Sequence, residues 1–206
     1  MLIHDIFQKY GIRPKGIIHI GAHECEERDI YRAAQVRDEH VLWIEAQPDV
    51  VAKMKAREPS LKIVQAVVTD TDDADVSFMV TNNSQSSSCL PLEKHLIHHP
   101  HVLEARRIDL KTVTLPTLLA RLAEDPAKYN FLAMDIQGSE LHALRGMESL
   151  LGQFAGIYLE VNEEEIYTGC GLLPDVIALL ERHGFKLREK HMTEYGWGDA
   201  LFMRGI

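Results

Sequence analysis

Short apolar runs alternate along the chain with longer segments whose apolar residues recur every three or four positions. The runs at about 16–21, 41–45, 131–134 and 156–159 contain few polar residues, which predicts strands covered on both faces. The segments between them have the spacing of amphipathic helices. This alternation predicts a three-layer, Rossmann-like α/β fold around a mostly parallel sheet.

Turn residues and helix-start residues set the limits of the other predicted elements. We expect helices at about 2–10, 24–35, 48–57 and 174–184, and further strands at about 61–68, 76–80 and 108–114. The closing strands, at about 185–189 and 200–204, leave no room for a helix between them, so the last strand should be antiparallel. We predict a single domain, 1–206, with a strand-loop-strand insertion at about 70–115 over the active end of the sheet.

The acidic composition narrows the classes of partner. The 206 residues carry a formal net charge of −9 at pH 7, which argues against nucleic acid because phosphate binding needs clustered lysine and arginine. Three cysteines without metal-ligand spacing indicate reduced thiols. No signal peptide or membrane span is visible, so we expect a cytoplasmic protein. The oligomeric state is left open, with a homodimer as one option.

A tight turn follows the first predicted strand, and an acid follows the second. Gly21-Ala22 stands at a strand end before a helix, where open α/β sheets bind ligands. Glu45 ends the next strand, from which a carboxylate can accept both hydroxyl protons of a ribose. The G-x-G-x-x-G pattern is absent, which argues against NAD or FAD and favours an adenosine ligand without a pyrophosphate, such as S-adenosylmethionine. The alternative is an ordinary strand-to-helix turn with Glu45 in solvent.

Carboxylates follow three of the predicted strands, at Glu45, Asp135 and Glu160. The carboxyl ends of parallel strands share one edge of the sheet, so these acids should converge on one crevice. Asp135 follows a fully apolar strand and precedes Gly138, where the backbone must turn sharply. A carboxylate held there can remove a proton from a substrate hydroxyl or hold a metal ion.

A polar loop at 81–88 and a group of histidines lie within the predicted insertion. Loops on rigid scaffolds carry binding groups, so the serines and amides of this loop are candidates for substrate contact. The histidines have metal-ligand spacing, but Pro100 interrupts any helix and no nearby carboxylate pair completes a site. We therefore expect a surface or substrate-lining cluster rather than zinc; its members are His95, His98, His99 and His101.

Six sequence blocks, in order, resemble the FkbM-family methyltransferases. The string Asp135-Ile136-Gln137-Gly138-Ser139-Glu140-Leu141 is the most specific, and the resemblance extends from about residue 15 to 204. The other blocks are Ile18 to His23, Trp43 to Pro48, Ser86 to Ser88, Glu160 to Asn162 and Trp197 to Ala200. The resemblance implies a class I methyltransferase sheet, S-adenosylmethionine as cofactor, and O-methylation of a sugar or natural-product hydroxyl, as in polysaccharide modification.

The resemblance also implies roles for particular residues. Gly21, Ala22 and His23 would lie against the methionine part of the cofactor, and Asp135 would stand beside its reactive methyl group. The ribose would be held by Glu45, next to Ala46, and the adenine would lie near Ala66 and Val67. As a mechanistic hypothesis, we expect a small-molecule or glycan acceptor to contact Ser86, Ser87, Ser88, Gln137, Asn162 and Trp197, with Trp197 stacking on a sugar ring or packing at the sheet edge.

A general base is useful for methylation of a sugar hydroxyl and contributes roughly 10²–10⁴ in rate. Asp135 is the first candidate. His23 and His191 are alternatives, because the ordinary pKa of histidine suits proton transfer near neutral pH.

Two departures from the family pattern leave other functions open. Many members have Asp where His19 stands and Gly where Cys25 stands, so Glu24, Glu26 or Asp135 would have to steer the cofactor amino group. The alternatives are a metal-assisted sugar O-methyltransferase using Asp135 and Glu160, a catalytically inactive cofactor-binding module, and an NAD-dependent sugar-modifying enzyme. His19 has a second interpretation, as a core histidine.

Overall fold

The computed structural model describes residues 6–92 and 94–205, apart from the side chain of His95. Within these residues the chain forms ten strands: β1 (Ile17–Ile20), β2 (Val41–Glu45), β3 (Ile63–Gln65), β4 (Val67–Val68), β5 (Asp75–Thr81), β6 (Glu104–Val113), β7 (Phe131–Met134), β8 (Gly156–Asn162), β9 (Phe185–Met192) and β10 (Trp197–Arg204). The α-helices are α1 (Ile6–Lys9), α2 (Arg28–Ala33), α3 (Pro48–Arg57), α4 (His95–His98), α5 (Leu115–Arg121), α6 (Glu140–Gly146), α7 (Glu148–Leu151) and α8 (Leu173–Arg182).

Seven strands form the main sheet, in the order β3-β2-β1-β7-β8-β10-β9. In this order, neighbouring strands from β3 through β2, β1 and β7 to β8 are parallel, whereas β10 runs antiparallel to both of its neighbours. This confirms the predicted mostly parallel sheet with an antiparallel last strand. The two closing strands are longer than predicted and extend the sheet as far as Trp197.

The two faces of the main sheet bury two separate apolar clusters. In β1, Ile18 and Ile20 contribute to one cluster and Ile17 to the other. Residues of α5, α6, α7 and α8 cover the first face, and residues of α1, α2 and α3 cover the second. Because both faces are covered, the central strands are apolar at nearly every position, and this is the near-continuous pattern seen in the sequence.

The predicted strand at 61–68 is wrong as a single element. Its first part, β3, pairs with β2 in the main sheet, whereas β4 pairs with β6 in a second sheet of order β4-β6-β5. The break falls at Ala66, whose amide donates to the Glu45 carbonyl at 3.0 Å. The chain therefore passes from one sheet to the other directly beside the carboxyl end of β2.

The second sheet contains the strands predicted at 76–80 and 108–114, which are β5 and β6 paired antiparallel. The single-domain assignment over 1–206 stays a prediction.

The helix predicted at 24–35 begins only at Arg28, because His23 and Cys25 have left-handed φ angles of 41° and 59°. The helix predicted at 2–10 is observed as α1, and residues 2–5 lie outside the described residues.

In the described part of the chain, no helix has both the length and the apolar character needed to cross a bilayer.

A close backbone contact joins the ends of β1 and β7. Gly21 has a φ of +85°, and a Cβ placed on it would lie 1.7 Å from the Asp135 carbonyl oxygen. No side chain fits at that distance, so only glycine lets the two strand ends come together. The contact fixes the position of Asp135 relative to the turn after β1.

We expect Gly21→Ala to destabilise the fold by about 3 kcal/mol or more, because a backbone clash adds to the cost of left-handed φ. Gly11→Ala is the matched control: Gly11 has a φ of +63° and no atom within 4 Å of the added Cβ, so it should lose only about 1 kcal/mol. The free energy of unfolding in urea measures both. Equal losses would show that the close contact is relaxed in solution.

Candidate active site

The turn after β1 is held against the end of β2. The amides of Gly21 and Ala22 both donate to the Ile44 carbonyl, at 2.9 and 3.0 Å, and the Cys25 amide donates to the Ala22 carbonyl at 2.7 Å. This tight turn points the His23 amide at the Glu45 carboxylate, where it donates to Oε2 at 2.8 Å.

Glu45 is a buried carboxylate at the carboxyl end of β2, with 5% of its surface exposed. Its Oε1 accepts a hydrogen bond from the Gln47 amide at 2.8 Å. Burial raises the pKa of Glu45, and the hydrogen bonds from the Gln47 and His23 amides oppose that rise. Both oxygens are thereby held in fixed directions at the strand end.

A narrow cleft lies beside Glu45. Its walls bring together most of the residues that the resemblance implied for a cofactor, and they continue into the second sheet at Val67 and Phe78. The predicted cofactor residues that line it are Gly21, His23, Glu45, Ala46, Ala66, Val67 and Asp135. Ala22 is buried and does not line the cleft.

A wide cavity of about 490 Å³ adjoins the narrow cleft. Gly21, His23, Gln85, Asp135 and Gln137 line both spaces. Asp135 therefore stands where the two meet. The wide cavity is otherwise lined by Glu26, Glu27, Ile30, Asn83, Ser86, His99, His101, Val102, Glu160, Ile166, Tyr167 and Trp197.

Gln137 links the acids at the meeting point. Its Nε2 donates to Asp135 Oδ1 at 2.6 Å and lies 3.3 Å from Glu160 Oε2. The Tyr167 hydroxyl donates to Gln137 Oε1. Gln137 has a left-handed φ of 56°, so the backbone turns sharply here, as the sequence predicted for the segment before Gly138.

Three carboxyl groups, those of Asp135, Glu140 and Glu160, offer oxygens within 4.8 Å of one another. Burial raises the pKa of Asp135 to about 6, and burial together with the charge of Asp135 raises that of Glu140 to about 8. The pKa of Glu160 is raised well above its usual value for the same two reasons. Among the described residues this is the group with the geometry to hold a metal ion. Without a metal ion, the same three carboxyl groups can bind protons.

Two predicted substrate residues, Ser88 and Asn162, do not line either space. Ser88 is fully buried, and its hydroxyl donates to the Gln137 carbonyl at 2.8 Å. Asn162 is also fully buried, and neither of its side-chain polar atoms has a hydrogen-bond partner among the described residues. Ser86 and Trp197 line the wide cavity, whereas Ser87 lines the narrow cleft.

The alternative bases are less well placed than Asp135. Both ring nitrogens of His23 are engaged, Nδ1 with Glu26 at 2.6 Å and Nε2 with Ser84 at 2.7 Å. The hydrogen bond that the ring donates to Glu26 raises the pKa of His23, which favours the protonated ring. His191 is half exposed on β9, pairs with Glu189 and does not line the wide cavity.

The two departures from the family pattern have structural explanations. His19 is buried in the core, with Nδ1 2.8 Å from the Tyr31 hydroxyl, so its core interpretation is correct. Cys25 adopts the left-handed conformation that glycine favours. Of the three substitute acids, Glu24 pairs with Lys53 and Arg57 at the surface. Glu26 and Asp135 line the wide cavity.

The sequence did not single out Tyr167 or Glu27, which line the wide cavity, whereas Asn83 and Gln85, which also line it, belong to the polar loop predicted to contact substrate. Tyr167 lies in a segment without periodicity, and its one signal was its position shortly after the carboxyl end of β8. Of the predicted histidine cluster, His99 and His101 line the wide cavity, and the ring of His98 lies 4.9 Å from that of Tyr195. The side chain of His95 lies outside the described residues.

Residues 19–187 match the family model of the methyltransferase FkbM domain. The chain belongs to the FkbM methyltransferase family. The match covers the three strand-end acids, Glu45, Asp135 and Glu160, and the whole second sheet. The family assignment makes this chain a methyltransferase, and it confirms the resemblance found in the sequence.

Solved structures of methyltransferases share the fold. Magnesium protoporphyrin IX methyltransferase (ChlM) from Synechocystis PCC 6803, solved with bound SAM, matches with a TM-score of 0.50 and 10% identity, over 98% of this chain and 76% of that one. A protein of the NADB-Rossmann superfamily from Streptococcus agalactiae matches with a TM-score of 0.53 and 9% identity, over 100% and 69%. At these identities the likeness is one of fold. No curated protein matches the sequence.

We expect the thermal stability to fall as the pH rises from about 5 to about 8, and Glu140→Gln to reduce that fall. Burial raises the pKa of Glu140 to about 8, well above its value in the unfolded chain, so the folded state binds more protons than the unfolded state in this range. Stability contributed by this group is present at low pH and is lost as the pH rises through the folded pKa. Glutamine carries no such proton.

Melting temperatures across this pH range measure the effect. Glutamine at 140 retains an oxygen to accept the hydrogen bond that the Ile136 amide donates at 2.8 Å. Glu39→Gln, at an exposed surface position, is the control and should follow the wild-type curve. Parallel curves for wild type and Glu140→Gln would contradict the raised pKa of Glu140 in the folded state.

Proposed function

We propose that this chain is an S-adenosylmethionine-dependent O-methyltransferase that acts on a hydroxyl of a sugar or natural product. One observation carries the proposal: Asp135 stands where the narrow cleft meets the wide cavity, with the predicted cofactor residues on one side and an open polar space on the other. A base at that point lies between a methyl donor and its acceptor.

The residues of the narrow cleft fit the cofactor by their chemistry. Glu45 presents a buried carboxylate whose oxygens are held in place by amides, which suits the hydroxyl pair of a ribose. Ala66, Val67 and Phe78 offer apolar walls for an adenine. Gly21 exposes backbone without a side chain, as close approach of a ligand requires.

S-adenosylmethionine, when bound, supplies a methyl group on an already activated sulfonium. The protein then has to position the acceptor and take its proton. Asp135 accepts the hydroxyl proton of the acceptor, and Gln137 holds the carboxylate through the hydrogen bond from Nε2.

The lining of the wide cavity favours a polyhydroxylated acceptor. Asn83, Gln85 and Ser86 offer hydrogen-bonding groups, and Trp197 offers an aromatic face. No lysine or arginine is among the residues that line it in the described part of the chain, so the possible counter-charges for an anionic acceptor are histidines. Modification of a glycan is the corresponding cellular role.

A metal-assisted reaction is the second candidate, because Asp135, Glu140 and Glu160 offer oxygens within 4.8 Å of one another. A divalent cation there would bind and polarise an acceptor hydroxyl. Turnover that survives EDTA excludes this candidate.

Cofactor binding should depend on Glu45. Isothermal titration of the purified protein with S-adenosylmethionine and S-adenosylhomocysteine should show binding, and Glu45→Ala should weaken it at least about tenfold because the ribose loses its acceptor. Glu39→Ala, which removes an exposed carboxylate, is the control. Absence of heat with either ligand in the wild-type protein would refute the proposed cofactor site.

Turnover should depend on Asp135 in its ionised form. With S-adenosylmethionine and a panel of neutral sugars, we expect Asp135→Asn to lose on the order of 10²-fold or more in rate while it still binds S-adenosylhomocysteine. Wild-type turnover should fall as the pH drops through about 6, where the carboxyl takes up a proton. Asp109→Asn, on an exposed part of β6, is the matched control. Full turnover in Asp135→Asn would remove Asp135 from the base role.

A further inference from the structure

We propose that the Glu27 carboxylate binds the ammonium group of the cofactor's methionine part. The inference deepens the proposed function, on which it rests for the place of the cofactor. It assigns a role to a residue that the sequence did not single out, and it replaces the expectation that Glu24, Glu26 or Asp135 steers this group.

The chemistry of S-adenosylmethionine requires a partner of this kind. Its methionine part ends in an amino acid, whose ammonium carries a positive charge and three N–H donors. A charged group that leaves water loses free energy unless an opposite charge or hydrogen-bond acceptors replace that water. The wall beside the methionine part should therefore present an acceptor, and an ionised carboxylate makes the stronger, charge-assisted hydrogen bond.

Glu27 lies on the wall toward which the methionine part would extend. Gly21 lines both the narrow cleft and the wide cavity, and Glu27 lines the wide cavity with it. A ligand whose ribose is held by Glu45 in the narrow cleft would extend past Gly21 into the space that Glu27 borders. The carboxylate is thus available at the end of the cofactor that carries the ammonium.

The described part of the chain leaves the charge of Glu27 without a cation. Its side chain is only 16% exposed and makes no capping hydrogen bond at the start of α2. Its one ion-pair contact among the described residues is His19, whose Nε2 lies 3.9 Å from Glu27 Oε2. Burial lowers the pKa of His19, so that ring is neutral. Charges this sheltered are ordinarily paired, and the cavity is where a cationic partner can enter.

The other acids near the turn after β1 are already engaged. Glu24 pairs with two surface cations, and Glu26 lies 2.6 Å from a histidine ring nitrogen. Asp135 and Glu160 both lie against one glutamine amide, at 2.6 and 3.3 Å. Glu27 is the acid of this wall whose side chain has no such partner among the described residues.

Titration calorimetry with two ligands tests the inference without turnover. The ligands are S-adenosylhomocysteine and its analogue in which hydrogen replaces the amino group. We expect the wild-type protein to bind S-adenosylhomocysteine at least about tenfold more tightly than the analogue, because the analogue leaves the carboxylate without its donor. Glu27→Gln should weaken S-adenosylhomocysteine at least about tenfold and should not weaken the analogue, because the lost interaction needs both groups.

Asp29→Asn, which removes an exposed carboxylate from the same helix, is the matched control and should keep the wild-type preference. Wild-type affinity of Glu27→Gln for S-adenosylhomocysteine overturns the inference, and so does an equal loss for both ligands, which is the result of a merely structural role. If Glu27→Gln does not fold, as judged by circular dichroism, Glu27→Ala replaces it with the same expectations.

The wild-type protein alone also separates this inference from the proposed function. Equal affinities for the two ligands overturn the inference and leave the cofactor site intact. Absence of binding of both ligands refutes the proposed cofactor site and the inference with it.

Discussion

The contact between Gly21 and the Asp135 carbonyl is the constraint on which the rest of the site depends. It brings the carboxyl ends of β1 and β7 closer than any side chain would permit. The turn after β1 is thereby held near Ile44 at the end of β2, and its His23 amide reaches Glu45. One glycine thus sets the spacing between the two acids that border the narrow cleft.

The site also contains three neighbouring carboxyl groups, those of Asp135, Glu140 and Glu160, without a cation among them. Burial disfavours their ionised forms, and their mutual repulsion disfavours them further. The fold tolerates this because neutral donors, the Gln137 amide and the Ile136 amide, satisfy carboxylate oxygens. Acids kept partly protonated near neutral pH are suited to proton transfer.

Much of this arrangement follows from local sequence patterns. Continuous apolar runs are enough to locate β1, β7 and β8, and the rule that parallel strands share a carboxyl edge is enough to bring Asp135 and Glu160 to one crevice. The break at Ala66 leaves no such signal, because Leu61 to Val68 is apolar enough for one strand and only pairing with β6 divides it.

Sequence patterns fail where tertiary contacts determine the backbone conformation or the orientation of a side chain. The left-handed turns at His23 and Cys25 delay α2 although the residues themselves favour no such conformation. Ser88 and Asn162 belong to motifs of the right kind but are turned into the interior. Tyr167 enters the site because its segment crosses back over the Gln137 turn, a contact that no periodicity records.

The order of strands in the main sheet also governs how the chain reaches its folded state. β1 pairs on one side with β2, which follows it closely, but on the other side Ile17 lies opposite Phe131. During synthesis one edge of β1 therefore stays unpaired until more than half of the chain has emerged. Such non-local pairing slows folding and exposes intermediates to aggregation, so the central position of β1 makes completion of the main sheet depend on the second half of the chain.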